Sequence, residues 1–69
     1  MVEEYLNKEY NRTKWHYFSL MKLLNMFGEE VREELNKLRE EGKVKSRNGS
    51  NGILVQLLVT KDGEIIKEY

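Results

Sequence analysis

Two glycines, Gly28 and Gly42, bracket a charged stretch in which Val31, Leu35 and Leu38 recur at i, i+4 and i+7. That spacing stacks the three side chains on one side of an α-helix, so this stretch must be a helix locked to a core by its aliphatic stripe. Glycine alone enters the left-handed conformation of a helix-ending position without a steric cost, and each of the two is read as closing the helix before it. Glu29 and Glu30 sit where a helix N-terminus favours negative charge, so this helix starts directly after Gly28. Past Gly42, the run Lys43-Val44-Lys45-Ser46-Arg47 alternates as a half-buried strand does, with Val44 returning an apolar side chain to the core.

Upstream, Val2, Tyr5, Leu6 and Tyr10 recur at helical spacing and predict a first helix over residues 2–10, with Glu3 and Glu4 near its positive end. Asn11-Arg12-Thr13 breaks that pattern, and Trp15-His16-Tyr17-Phe18 is a β-prone aromatic cluster that reads as a short strand or as helix. Thr13 and Ser19 are both legitimate N-caps; the Ser19 start is preferred, which places Leu20, Leu23, Leu24 and Phe27 on one face and leaves Met21 and Met26 beyond it. Downstream, Asn48-Gly49-Ser50-Asn51-Gly52 holds two Asn-Gly pairs, the dipeptide that most readily supplies the positive φ angles of a hairpin turn. Residues 53–60 are the return strand, and their apolar run predicts burial on more than one face; Asp62-Gly63 then turns the chain so that residues 64–69 form a third strand of a meander.

At 69 residues the expectation is one domain, residues 1–69, which buries only about 60% of the surface its unfolded form exposes. It has no cysteine and no cluster of histidine with carboxylates, so apolar burial has to supply the stability and neither metal nor cofactor is expected. Met1-Val2-Glu3-Glu4-Tyr5 carries neither a basic leader nor an apolar span, and the expected setting is the cytoplasm, away from membranes. Twelve basic and twelve acidic side chains cancel, which leaves no overall field drawing the molecule to nucleic acid. The charge is uneven, however. Residues 29–42 carry six glutamates against three basic residues, whereas residues 43–52 carry Lys43, Lys45 and Arg47 with no acid.

The segment from Val31 through Gly42 to Val44 resembles the third helix and the start of the wing in winged helix-turn-helix proteins, and the resemblance extends over residues 15–59. It implies an α+β fold: three helices, a short strand after the first, and a C-terminal antiparallel hairpin or meander as the wing. The chain departs from the family in one respect, because Gly28 and Val31 are almost adjacent where members usually have several residues between them. In that superfamily the third helix commonly enters the major groove while the wing touches phosphates.

With Val31, Leu35 and Leu38 inward, the outward face of this helix centres on Glu29, Glu33, Asn36 and Glu40, flanked by Arg32 and Lys37. Three carboxylates on one stripe repel phosphates, and the plainer reading is preferred for the helix itself: a solvated face with pairs such as Glu33 and Lys37 at i, i+4. For the hairpin, phosphate contact is narrowly preferred over the protection of strand edges. His16, the one histidine, is assigned no chemistry, and Trp15, Tyr17 and Phe18 are read as core rather than as stacking platforms. The sequons at Asn11 and Asn48 are read as chance matches.

Nothing in the sequence pairs a nucleophile with a base or cradles a phosphate, so no enzyme and no small-molecule substrate are expected. The function expected is a small double-stranded-DNA-binding regulator of transcription or replication, with mostly backbone contacts from Arg32, Asn36, Lys37, Lys43, Lys45, Arg47 and Asn48. The alternative is an interaction or oligomerisation module without DNA binding. The glutamate stripe motivates it, together with the apolar excess of the second helix and of Tyr5, Tyr10 and Tyr69, which a homodimer or protein partner would cover.

Overall fold

A computed structural model describes residues 1–66 of the chain and shows an α+β arrangement of three helices and a three-stranded antiparallel sheet. In chain order the elements are α1 (Val2–Thr13), β1 (Tyr17–Ser19), α2 (Leu20–Phe27), α3 (Glu30–Glu40), β2 (Val44–Gly49) and β3 (Gly52–Leu57).

Helix α1 runs one turn further than its apolar spacing predicts. Arg12 pairs with Glu9 at 2.6 Å, and the Thr13 hydroxyl donates to the Glu9 carbonyl at 2.9 Å, so polar contacts carry the helix over Asn11-Arg12-Thr13. The helix ends at Lys14, a non-glycine residue at φ 62°, ψ 14°, whose N–H reaches the Tyr10 carbonyl at 2.7 Å. At α2 the preferred cap is the observed one: the Ser19 hydroxyl accepts from the Lys22 N–H at 3.3 Å.

Gly28 ends α2 but is not left-handed helical. At φ 82° and ψ −168° it is in an extended, glycine-specific conformation, because its own carbonyl must turn to receive the Val31 N–H at 3.2 Å and start the next helix at once. Gly42, at φ 75°, behaves as expected. Its N–H donates to the Arg39 carbonyl at 3.0 Å, and the Lys43 N–H reaches Leu38 at 2.9 Å, the paired bonds of a Schellman ending. Between these two glycines Val31 and Leu38 are buried and Leu35 is half-buried against them, so the aliphatic stripe faces inward.

The strand order is β1-β3-β2, so the third member of the sheet is the aromatic segment β1 and not the C-terminal residues. β3 stops at Leu57, short of Thr60, because the Leu58 and Val59 N–H groups both turn to the Lys43 carbonyl, at 2.7 and 3.3 Å. The turn at Asp62-Gly63 does form, closed by Gly63 N–H to Thr60 at 2.9 Å, but the chain after it contributes an isolated bridge, Val59 with Ile65, rather than a strand. The remainder of the expected third strand, residues 67–69, lies outside the described residues.

The hairpin turn also differs from expectation. Gly49 pairs with Gly52, which leaves Ser50 and Asn51 as the two central residues, and neither has a positive φ. Gly52 takes the unusual geometry instead, at φ 127°. A Cβ at Gly49 would lie 3.1 Å from the Gly52 carbonyl oxygen and from Leu54, so close strand approach is what requires glycine there.

One core joins the layers: Val2 and Leu6 from α1, Leu23 from α2, Val31 and Leu38 from α3, and Val44, Val55 and Leu57 from the sheet. Residues 55–57 are buried consecutively, the expected result for a central strand covered on both faces, while Ile53 at the hairpin end is exposed. Tyr5 and Tyr10 pack against this core, with the Tyr5 ring edge-on to Phe18 and Phe27, so they are not surplus apolar surface. Met21 and Met26 do remain exposed on α2. Trp15 overturns its assignment to the core: it is 61% exposed, and of the aromatic cluster Phe18 is the side chain that packs inward against the core.

Candidate nucleic-acid interface

The sheet register sorts its side chains by face. Val44, Ser46, Val55, Leu57 and Phe18 point to the helices, and the cross-strand rows Tyr17-Gln56-Lys45 and Ser19-Leu54-Arg47 lie on the opposite face. Helix α3 packs along the first of these faces, and its own surface is thereby divided in two.

On the flank next to the hairpin, Arg32, Leu35, Asn36 and Arg39 follow at i, i+3, i+4 and i+7 and line a groove of about 250 Å³. Its floor and far wall come from Leu20, Val44, Ser46, Ile53 and Val55. Here an aliphatic floor is bordered by two guanidinium groups, a carboxamide and a hydroxyl. Arg32 donates to Glu29 at 3.2 Å, an exposed pair that water and salt weaken, and Arg39 donates to the Asn36 side-chain oxygen. Both guanidinium groups retain donors that can turn towards an anion in the groove.

On the other flank Lys37 lies among Glu30, Glu33 and Glu34, and a neighbouring depression adds Glu3, Glu41 and Lys43. Glu33 with Lys37 is not among the ion pairs formed by the described residues. Lys43 is drawn into a polar joint. Its ammonium is 3.1 Å from Glu3 and 3.6 Å from Glu41, while Glu34 accepts from the Glu3 backbone N–H at 3.0 Å. The hydrogen bond to Glu3, then the charge of the same carboxylate, holds the Lys43 ammonium above its ordinary range. Lys43 thus fastens α1 to the start of β2.

The seven residues expected to touch DNA therefore occupy three places. Arg32 and Asn36 share the α3 groove, Lys37 and Lys43 face the acidic side, and Lys45, Arg47 and Asn48 belong to the hairpin. Arg47 and Asn48 line a shallow hollow with Trp15, Tyr17, Ser19 and Leu54, not the α3 groove. Sequence reasoning missed Arg39 and Ser46. Arg39 carries a detectable signal, since it sits i+7 from Arg32 and i+3 from Asn36; Ser46 carries none, because which strand residues oppose α3 depends on the packing.

Among the described residues no helix is long and apolar enough to cross a membrane, and no group of three or more histidine, cysteine or acidic side chains is arranged to hold a metal ion. Comparison with protein-family models, curated proteins and solved structures finds no match to this chain.

Proposed function

We propose that this chain is a winged-helix DNA-binding protein, a cytoplasmic regulator that seats a duplex against the groove between α3 and the hairpin, with the hairpin as its wing. The observation that carries the reading is the convergence of Arg32, Asn36 and Arg39 on the α3 flank nearest the hairpin, while Glu30, Glu33 and Glu34 occupy the other flank. The element order of helix, strand, two helices and hairpin agrees with it. The phosphate backbone would meet Arg32 and Arg39, and Asn36 has the donor and acceptor pair that reads an adenine edge. Lys37 and Lys43 take no part.

A salt titration of duplex binding tests this. Affinity should rise steeply as salt falls, and replacing Arg32 and Arg39 together by alanine should flatten the logarithmic slope by about 2 while Lys37→Ala leaves it in place. No detectable duplex binding at low salt would remove the reading.

A second reading rests on Met21 and Met26, 68% and 48% exposed on α2. A second copy or a protein partner docked on that helix would cover them. Sedimentation showing a monomer at every concentration would count against a dimer.

A further inference from the structure

We propose that Trp15 and Tyr17, at the β1 edge of the outer face of the sheet, bind an unpaired stretch of nucleic acid by stacking bases on their aromatic rings. This site is separate from the α3 groove, since Tyr17, Leu54 and Lys45 lie on the sheet face directed away from α3.

The chain holds Trp15 outside by specific means. The Thr13 hydroxyl, while donating to the Glu9 carbonyl, accepts from the Trp15 N–H at 3.1 Å, and Lys14 between them adopts a left-handed conformation that a non-glycine residue rarely occupies. The result is an indole 61% exposed, its centroid 5.5 Å from the Tyr17 ring with the planes tilted by 54°. Two hollows, of about 450 and 480 Å³, share Trp15, Tyr17 and Ser19 in their walls. Lys22 borders the first and Arg47 the second, and Lys45 stands in the cross-strand row with Tyr17. Among the described residues that line these hollows the carboxylate is Glu9, which Arg12 engages through two hydrogen bonds.

Aromatic faces bordered by cations match a phosphate chain carrying flat bases. An apolar peptide would gain nothing from the cations, and a duplex keeps its bases stacked on one another, out of reach of the indole. A second feature lies at the same place. Gln56, the middle of the Tyr17-Gln56-Lys45 row, is 3% exposed, and its side-chain oxygen has no hydrogen-bond partner among the described residues. Buried acceptors are seldom left so.

Trp15 is the single tryptophan, so its emission reports on the platform directly. An oligothymidine of about ten nucleotides should quench that emission, and the quenching should weaken as salt rises. Followed by anisotropy of a labelled strand, Trp15→Ala should lose about tenfold or more in affinity and Trp15→Phe should recover most of it. Lys22→Ala with Lys45→Ala should flatten the salt dependence, whereas the Arg32 and Arg39 substitutions should leave strand binding intact. Emission unchanged by the strand at low salt overturns the proposal. So does full affinity in a folded Trp15→Ala protein, or loss of strand and duplex together when Arg32 and Arg39 are replaced, which would put the strand in the α3 groove.

Discussion

Lys14 is the residue at which local preference and tertiary demand disagree most plainly. At φ 62° its Cβ crowds the following carbonyl, a conformation that costs roughly 1–2 kcal/mol for an L-residue. Its ammonium lies 5.2 Å from the centre of the Tyr10 ring, a contact worth about 0.5–1 kcal/mol at an exposed site, which offsets part of that cost. The two contributions separate by substitution. Lys14→Ala keeps the strain and loses the ring contact, whereas Lys14→Gly loses both and adds about 0.4–1 kcal/mol of unfolded-chain entropy. Urea denaturation should therefore find Lys14→Gly more stable than Lys14→Ala by about 0.5–1 kcal/mol. Equal stabilities would mean that this residue leaves the left-handed conformation in solution. Ser19 shows the opposite case, a residue whose local chemistry was decisive. A hydroxyl immediately before Leu20 and three residues ahead of the Lys22 N–H satisfies a donor that the first turn of the helix leaves open, and it can be read from the sequence for that reason.

Between elements, the polar joint at Lys43 is the contact that sequence spacing did not foresee. Glu3 and Lys43 are 40 residues apart, and neither has a local reason to find the other; the meeting follows from α3 turning back at Gly42 beside the N-terminal turn of α1. The partner of β1 was obscure for the same reason, because three residues of strand carry no mark of which distant strand they join. What was legible, the Gly42 ending and the inward Val31 and Leu38, lies within single elements, where periodicity and backbone sterics suffice. The joint has a pH signature. Its carboxylate partner raises the Lys43 pKa above 10.5 in the folded protein, so the stabilisation is complete below the unfolded value and is lost as pH rises through the folded one. Glu9 is shifted the other way, below 4.5, first by its hydrogen bond from Arg12, so its contribution is present above that value and fades as pH falls through the lowered one. Thermal unfolding followed against pH should accordingly lose stability at both extremes. Lys43→Met should flatten only the alkaline side and Glu9→Gln only the acid side. An unchanged alkaline limb in Lys43→Met would show that the joint does not persist in solution.

For the whole molecule the governing fact is that twelve cations and twelve anions cancel, so attraction to a polyanion acts only at short range and depends on how the charges are segregated. Helix α3 does the segregating. Arg32 and Arg39 border the groove beside the hairpin, Glu30 and Glu34 lie towards α1, and Glu40 sits on the exposed side, one residue beyond Arg39 and four beyond Asn36. A phosphate held by Arg39 would lie within about one Debye length, roughly 10 Å, of the Glu40 carboxylate, whereas Glu30 is turned to the far flank. Like charges at that separation in water repel by enough to change an affinity about twofold. Glu40→Gln should therefore tighten duplex binding about twofold at low salt, with the gain disappearing as salt is raised, and Glu30→Gln, which changes the net charge identically, should do less. The comparison of two variants of equal charge separates a docked duplex from general attraction to a less acidic protein. If both tighten binding equally, only net charge matters, and the duplex does not sit between α3 and the hairpin.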